Sequence, residues 1–298
     1  MTVQRVVFLC SGNTCRSPLA AAILRARRPE ADVLSAGLAA HEGSPAAESA
    51  RAIARERGLE LESHRAQAAR NELFAGGAIG LCMTRQLAEE ARRRFPQAAD
   101  RILSLGEYAG HPDQDVDDPI GQGDAAYRGM ANQVAELLRA AEQRSGWLFL
   151  QAVGLGSDHA GLILKREVLS ALRQAGIPAL DYGTDSAESC DYPDFAQTVG
   201  RAVASGEMGA GILICGTGIG MSIAANKIVG VRAALAGEGL AAELSRRHND
   251  ANVLCLGARL TGPELAREAA LRFLRTEFEA GRHARRVAKI TAMDLDNP

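Results

Sequence analysis

The sequence predicts an α/β protein made of two three-layer α/β/α domains, each with a central, mostly parallel sheet. Short apolar runs alternate with amphipathic Ala-, Arg- and Glu-rich stretches along the chain. At 298 residues it can bury two cores of ordinary size. Two cysteine-bearing loops, Cys10-Ser11-Gly12-Asn13-Thr14-Cys15-Arg16-Ser17-Pro18 and Cys215-Gly216-Thr217-Gly218-Ile219-Gly220, each follow a strand-like run and precede a helix-like one.

In the first half, the apolar run Val6-Val7-Phe8-Leu9 predicts a strand near 5–10, followed by a helix near 17–28, a strand near 32–35 and a helix near 45–57. Further strands are predicted near 78–83 and 101–104, with helices near 85–94 and 124–143. Asp113 to Gly123, rich in Asp, Pro and Gly, reads as an exposed loop. The polar break Glu142-Gln143-Arg144-Ser145-Gly146 ends this half and places the domains at 1–146 and 147–298. A strand over Trp147–Leu155 then restarts the pattern. Helices follow near 160–175, 193–205, 219–228, 239–247 and 262–279, and strands near 177–181, 211–215, 231–235 and 252–257. The short linker predicts contact between the domains rather than a flexible tether.

Apolar residues make up 47% and charged residues 23%, with a formal net charge of −2. That balance gives no global field for nucleic acid or membrane surfaces. No apolar run approaches the ~18 residues of a membrane span, and no leader pattern opens the chain, so a cytoplasmic protein is expected. The six cysteines form no CxxC pair and no zinc-type spacing with histidine, which predicts reduced thiols and no metal site. Cys82 and Cys255 fall in apolar strands and read as core, Cys190 as structural, and His41, His64, His111, His283 and Arg285 as surface or loop residues.

The first loop has a specific chemical use. Backbone N–H groups of Ser11, Gly12, Asn13, Thr14 and Cys15 can wrap a phosphate, while Arg16 grips two of its oxygens. Cys10 lies beneath the phosphorus for in-line attack, its thiolate favoured by the helix terminus, Arg16 and Ser17. Pro18 suits the first helical turn, where its missing N–H is not needed. This run, with Ser35-Ala36-Gly37 and Asp118-Pro119, resembles the low-molecular-weight protein-tyrosine phosphatase family across about residues 3–143. The resemblance implies a phosphocysteine on Cys10, transition-state stabilisation by Arg16, and Asp118 as acid and then base. Asp115 and Asp117 beside Asp118 are expected to help it stay protonated. Thr14 resembles the protein-arginine phosphatase branch, and Ile120 departs from the aromatic residue usual after Asp-Pro. Phosphotyrosine and phosphoarginine on proteins therefore both stand as substrates. Cys15 reads either as a disulfide partner protecting Cys10 or as a small residue packed behind the loop.

The second loop alone is weak evidence, since it lacks the full dinucleotide fingerprint. Its company is what specifies it: Asp158-His159-Ala160-Gly161, Asp191-Tyr192-Pro193, His248-Asn249-Asp250-Ala251-Asn252 and Gly281-Arg282-His283-Ala284-Arg285-Arg286. Together these resemble ribose-5-phosphate isomerase type B over about residues 150–292. The resemblance implies interconversion of ribose 5-phosphate and ribulose 5-phosphate through an enediolate, with no metal or nicotinamide cofactor. Cys215 would be the base, and Gly216, Thr217, Gly218, Ile219 and Gly220 the oxyanion donors. His159, Arg282 and Arg286 would hold phosphate, His248 would open the sugar ring, and Asp158, Tyr192 and Asn249 would hold hydroxyls. The family also implies a homodimer that shares its sites. Ala236-Gly237-Glu238-Gly239-Leu240 departs from the polar, tyrosine-bearing segment of relatives, which leaves another sugar phosphate, such as allose 6-phosphate, open. A competing reading makes the first domain a redox-sensing or phosphate-binding regulator of the isomerase.

Overall fold

The computed structural model describes residues 5–294, which fall into two compact units. One comprises residues 5–145 with Ala175–Pro178, the other Gly146–Gln174 with residues from Ala179 onward. Both sheets are wholly parallel and flanked by helices, so their strands are buried and read as continuous apolar runs.

The first unit runs β1 (Arg5–Cys10), α1 (Arg16–Arg27), β2 (Asp32–Gly37), α2 (Glu48–Glu56), β3 (Ile79–Cys82), α3 (Arg85–Arg94), β4 (Ile102–Ser104), α4 (Leu105–Ala109) and α5 (Gly123–Ser145). Its strand order is β2-β1-β3-β4. From β1 the chain crosses outward to β2, and from β3 it crosses the other way to β4. Right-handed crossovers therefore carry α1 and α3 to opposite faces and leave a crevice at the carboxyl ends of β1 and β3. Cys10 is the last residue of β1, beside that crevice. Val6, Val7, Phe8 and Leu9 behind it are fully buried.

The second unit runs β5 (Val153–Ser157), α6 (Leu162–Gln174), β6 (Ala179–Asp181), α7 (Tyr192–Ala204), β7 (Ala210–Cys215), α8 (Ile219–Ala225), β8 (Ala233–Leu235), α9 (Gly239–Asn249), β9 (Val253–Gly257), α10 (Pro263–Arg275) and α11 (Gly281–Met293). Its order, β6-β5-β7-β9-β8, reverses between β5 and β7. Asp158 follows β5 and Cys215 ends β7, so this second chemical set also gathers at a switch point.

Two expectations are corrected. The strand read over Trp147–Leu155 begins only at Val153, because Gly146–Leu148 forms a 3₁₀ turn and Leu150 takes a left-handed φ of 64° that interrupts any extended run. The helix read to 279 stops at Arg275, and a further helix, α11, follows a sharp turn. At that turn Ala280 adopts φ 55°, ψ −127°, a conformation suited to glycine, and Gly281 has φ 50°. The substitution Ala280→Gly should relieve this strain and raise the unfolding free energy by about 1 kcal/mol net of the added chain entropy, measured by denaturant titration.

Candidate active sites

In the first unit the loop after β1 is pinned through Asn13. This residue has φ 54°, which asparagine tolerates better than most side chains, and its backbone N–H donates to Cys10 Sγ at 3.2 Å. Its amide Nδ2 donates to Ser17 Oγ and Ser35 Oγ, both at 3.0 Å, and its Oδ1 accepts the Gln67 N–H at 2.9 Å. Ser17 Oγ, loaded by Asn13, lies 3.0 Å from Cys10 Sγ, so its own proton can serve the thiolate. Gly37 explains the rest of the Ser35-Ala36-Gly37 motif: a Cβ there would lie 2.5 Å from the Ser11 carbonyl oxygen.

Arg16, the first residue of α1, is buried, and its Nη2 lies 2.6 Å from Asp118 Oδ2. Asp118 is half-exposed on the loop before α5, where its Oδ1 accepts the Ile120 N–H at 3.3 Å. Its closest charge is thus a guanidinium rather than Asp115 or Asp117; the Asp115 carboxylate accepts the Arg85 N–H. Cys10 and Cys15 are both free thiols, and Cys15 Sγ lies 3.2 Å from the Tyr127 hydroxyl. Burial first, then the bond to Cys15, pushes the Tyr127 phenol up, so it stays a neutral partner. Thr14 is partly exposed on the loop, and Ile120 is exposed two residues after Asp118, the carboxylate that meets Arg16.

His64, read as a loop histidine, proves to be part of this scaffold. Its Nε2–H donates to the Asn13 carbonyl at 2.8 Å, a contact spanning 51 positions that no local motif signals. Burial lowers its pKa from the usual histidine range.

In the second unit Cys215 receives the Gly218 N–H on Sγ at 3.2 Å. Gly218 has φ 75°, and a Cβ there would lie 2.5 Å from Leu235. The following helix, α8, has only seven residues, so the loop N–H groups rather than a long dipole form the anion-accepting surface. Asp158 is buried, its Oδ1 taking the Gly161 N–H at 2.9 Å. His159 Nδ1 accepts the Cys190 N–H at 3.2 Å, which leaves the proton on Nε2 and gives Cys190 a positioning role that its sequence context did not signal. Tyr192 opens α7 and packs over Gly220, where a Cβ would come within 2.4 Å of the ring. Cys215, Thr217, Asp158, His159 and Tyr192 therefore share one sheet edge.

Two residues on this edge escaped sequence reading. Arg259 donates its N–H to the Gly216 carbonyl at 2.9 Å, and its side chain lies over Gly216. Its position just past the carboxyl end of β9, next to Cys215, was the available signal. Lys165 is fully buried, with Nζ 2.7 Å from Asp181 Oδ2 and donating to the Thr184 carbonyl at 2.8 Å. It ties α6 to the chain leading toward Cys190. Cys82 and Cys255 are buried in β3 and β9, and burial pushes both thiols up, as expected for core residues.

His248 and Asn249 end α9, just before the start of β9, and so lie at the opposite, amino edge of the sheet. Arg282 and Arg286 lie on α11, which packs against α9. His283, read as solvated, is buried and stacks on His248, with ring centroids 4.3 Å apart and planes 7° apart. With Glu279 these histidines place three potential metal-ligand atoms within 4.8 Å. Parallel rings cannot both aim a lone pair at one ion, and Arg282 Nε already donates to His283 Nε2 at 3.2 Å. The trio as it stands does not fit a metal ion.

Residues 5–145 match the family model for low molecular weight phosphotyrosine protein phosphatases, and residues 153–290 that for ribose/galactose isomerases. The chain is similar to ribose-5-phosphate isomerase B of Escherichia coli, 48% identical over 145 residues, which is 49% of this chain and 97% of that protein. It is also 44% identical over 140 residues to D-erythrulose-4-phosphate isomerase of Pectobacterium atrosepticum, 47% of this chain and 92% of that protein. Among solved structures, ribose-5-phosphate isomerase B of Clostridium thermocellum is 49% identical, covering 49% of this chain and 99% of that one, with a TM-score of 0.49. Among the described residues, no helix is long and apolar enough to cross a membrane.

The half-buried His64, whose pKa burial lowers, makes the first loop acid-sensitive. Because its folded pKa is depressed, its contribution to stability is complete above the unfolded value of 6.5 and is lost as pH falls toward the folded one. Denaturation midpoints of the first unit should therefore drop below that value in the wild type, and less steeply in His64→Gln. Identical slopes in both would contradict this account.

Proposed function

The chain belongs to the ribose/galactose isomerase family through residues 153–290 and carries a low-molecular-weight phosphatase domain over residues 5–145, and on that premise we propose that it is a bifunctional enzyme. The second domain, 147–298, interconverts ribose 5-phosphate and ribulose 5-phosphate. The first, 1–146, hydrolyses phosphate from proteins through a phosphocysteine. The observation that supports both halves is a cysteine sulfur held at a strand's carboxyl end by an N–H from three residues on.

In the phosphatase, Arg16 turns its fork to the phosphate oxygens and releases Asp118 to the leaving group. Cys10 thiolate attacks phosphorus, the bond to the leaving atom breaks, and Asp118 donates a proton to that atom. A water then gives its proton to Asp118 and attacks the phosphocysteine, which frees inorganic phosphate and restores the thiolate. Phosphoarginine fits better than phosphotyrosine. Ile120, 64% exposed, offers no aromatic wall for a phenyl ring, and Thr14 adds a hydroxyl near the leaving guanidinium.

In the isomerase, Cys215 takes the C2 proton of the open-chain aldose and returns it to C1 of the enediolate. The loop from Gly216 to Gly220, with Thr217, stabilises the oxyanion. His159, Arg282 and Arg286 hold the phosphate, and Asp158, Tyr192 and Asn249 hold hydroxyls. His248 opens the furanose: the C1 hydroxyl loses its proton, the C1–O4 bond breaks and O4 gains a proton. Neither domain requires a metal or organic cofactor for these steps.

One copy cannot assemble this set. The strand between the His248 end and the Cys215 edge spans four residue steps, about 13 Å, so the two groups lie at opposite edges of the sheet. A homodimer that brings the amino edge of one copy to the carboxyl edge of the other would complete two sites. Ile219, Ile223 and Leu240, each about half-exposed or more, supply apolar surface next to that carboxyl edge. The small residues Ala236 and Gly237 on the same edge keep a longer sugar phosphate as the second reading.

Purified protein should release phosphate from phosphoarginine faster than from phosphotyrosine and should convert ribose 5-phosphate faster than allose 6-phosphate; the opposite order in either pair replaces that substrate. Cys10→Ser should abolish phosphatase turnover and spare the isomerase, and Cys215→Ser should do the reverse. Loss of both activities in one well-folded variant would favour the regulatory-module reading. Asp118→Asn should lower phosphatase kcat by roughly two to four orders of magnitude, and by least for an activated aryl phosphate whose leaving group needs no proton.

A further inference from the structure

We propose that Glu279 is a positioning residue for ring opening, its carboxylate orienting the stacked His248–His283 pair and balancing its charge. The proposal rests on the isomerase reading in which His248 opens the furanose. Glu279 Oε2 lies 3.7 Å from His248 Nε2 and 4.0 Å from His283 Nε2. Both separations exceed a hydrogen bond but are those of a close electrostatic contact.

The carboxylate is held in place from behind. Arg247 Nε donates to Oε1 at 2.7 Å and Arg247 Nη2 makes a second bond to the same oxygen. The Glu279 N–H donates in turn to the Arg247 carbonyl at 3.1 Å. The strained turn at Ala280 then reverses the chain, so that His283, one turn into α11, comes back over His248. A non-glycine residue held in that conformation is the kind of strain that persists where the surroundings over-determine it.

Charge explains what such a carboxylate does. The groups around the imidazole pair are the cations Arg247 on α9 and Arg282 and Arg286 on α11, with Glu279 between them. Burial, then His248, Arg282 and Arg286 lower the pKa of His283, with Glu279 acting against them. His283 is therefore a neutral platform whose Nε2 accepts from Arg282. His248 must carry a proton at the moment O4 is released, and it does so in a patch that already holds three guanidinium groups. Glu279 is the anion that faces both rings and offsets that positive charge.

The test uses the full-length protein and two assays. With ribose 5-phosphate, which must be opened, Glu279→Gln should lower kcat by about tenfold. With ribulose 5-phosphate, which has no ring to open, deuterium incorporation from solvent at C1 should keep the wild-type rate, because forming the enediolate from the open chain does not call on the ring-opening pair. Arg247→Met, which frees the carboxylate to swing, should show the same split to a smaller degree. Equal losses in both assays, or no loss in either, would overturn the proposal. Failure of the wild type to interconvert ribose 5-phosphate and ribulose 5-phosphate would instead overturn the isomerase reading itself.

Discussion

A backbone N–H donated to a cysteine sulfur from three residues downstream is the constraint on which both domains depend. Asn13 supplies it to Cys10 and Gly218 to Cys215, each at 3.2 Å. Both donors sit in the left-handed region, with φ of 54° and 75°. That conformation turns the chain back over the strand end, so successive N–H groups face the crevice rather than the helix behind them. The parallel sheet does the rest, since reversal of strand order opens a crevice at the carboxyl ends where the sulfurs lie.

The two loops meet the same constraint by different means, and the difference fits the chemistry proposed for each. In the first, asparagine takes the left-handed position and spends its side chain on Ser17, Ser35 and Gln67, which makes the loop a rigid cup with an arginine in its rim. A phosphate dianion at the reacting centre requires that positive charge. In the second, glycine takes the position because Leu235 and Leu256 leave no room for a side chain. No arginine lies within Gly216–Gly220; Arg259 from the adjacent strand end lies over Gly216 instead. Proton transfer between carbon atoms calls for neutral donors at the developing oxyanion, with the phosphate held elsewhere.

The fold class and the cysteine loops were legible in the sequence because they are local: an apolar run, a run of small residues and a helical stretch occupy consecutive positions. The supports were not. His64 reaches Asn13 across 51 positions, and Lys165 reaches Thr184 across 19 through a buried ammonium that composition makes improbable. The helix α11 was hidden by its own chemistry, since Arg282 and Arg286 read as a binding motif and drew attention from the helical spacing they share. The error at Trp147–Leu155 has a backbone cause, because a left-handed Leu150 has no side-chain signature.

The splitting of the isomerase set between two sheet edges gives the C-terminal segment its meaning. In a single copy, α11 extends past the last strand and packs on α9, covering little of the sheet. It carries Arg282, His283 and Arg286 on a helix whose residues are mostly exposed apart from His283. A helix that contributes so little to its own core gains its value from what it delivers to another surface. The stack of His283 on His248 and the grip of Arg247 on Glu279 fix that delivery before any partner arrives, so association need not order these side chains. In the proposed homodimer, preorganisation on the amino edge and a rigid sulfur-bearing loop on the carboxyl edge would be complementary halves of one site.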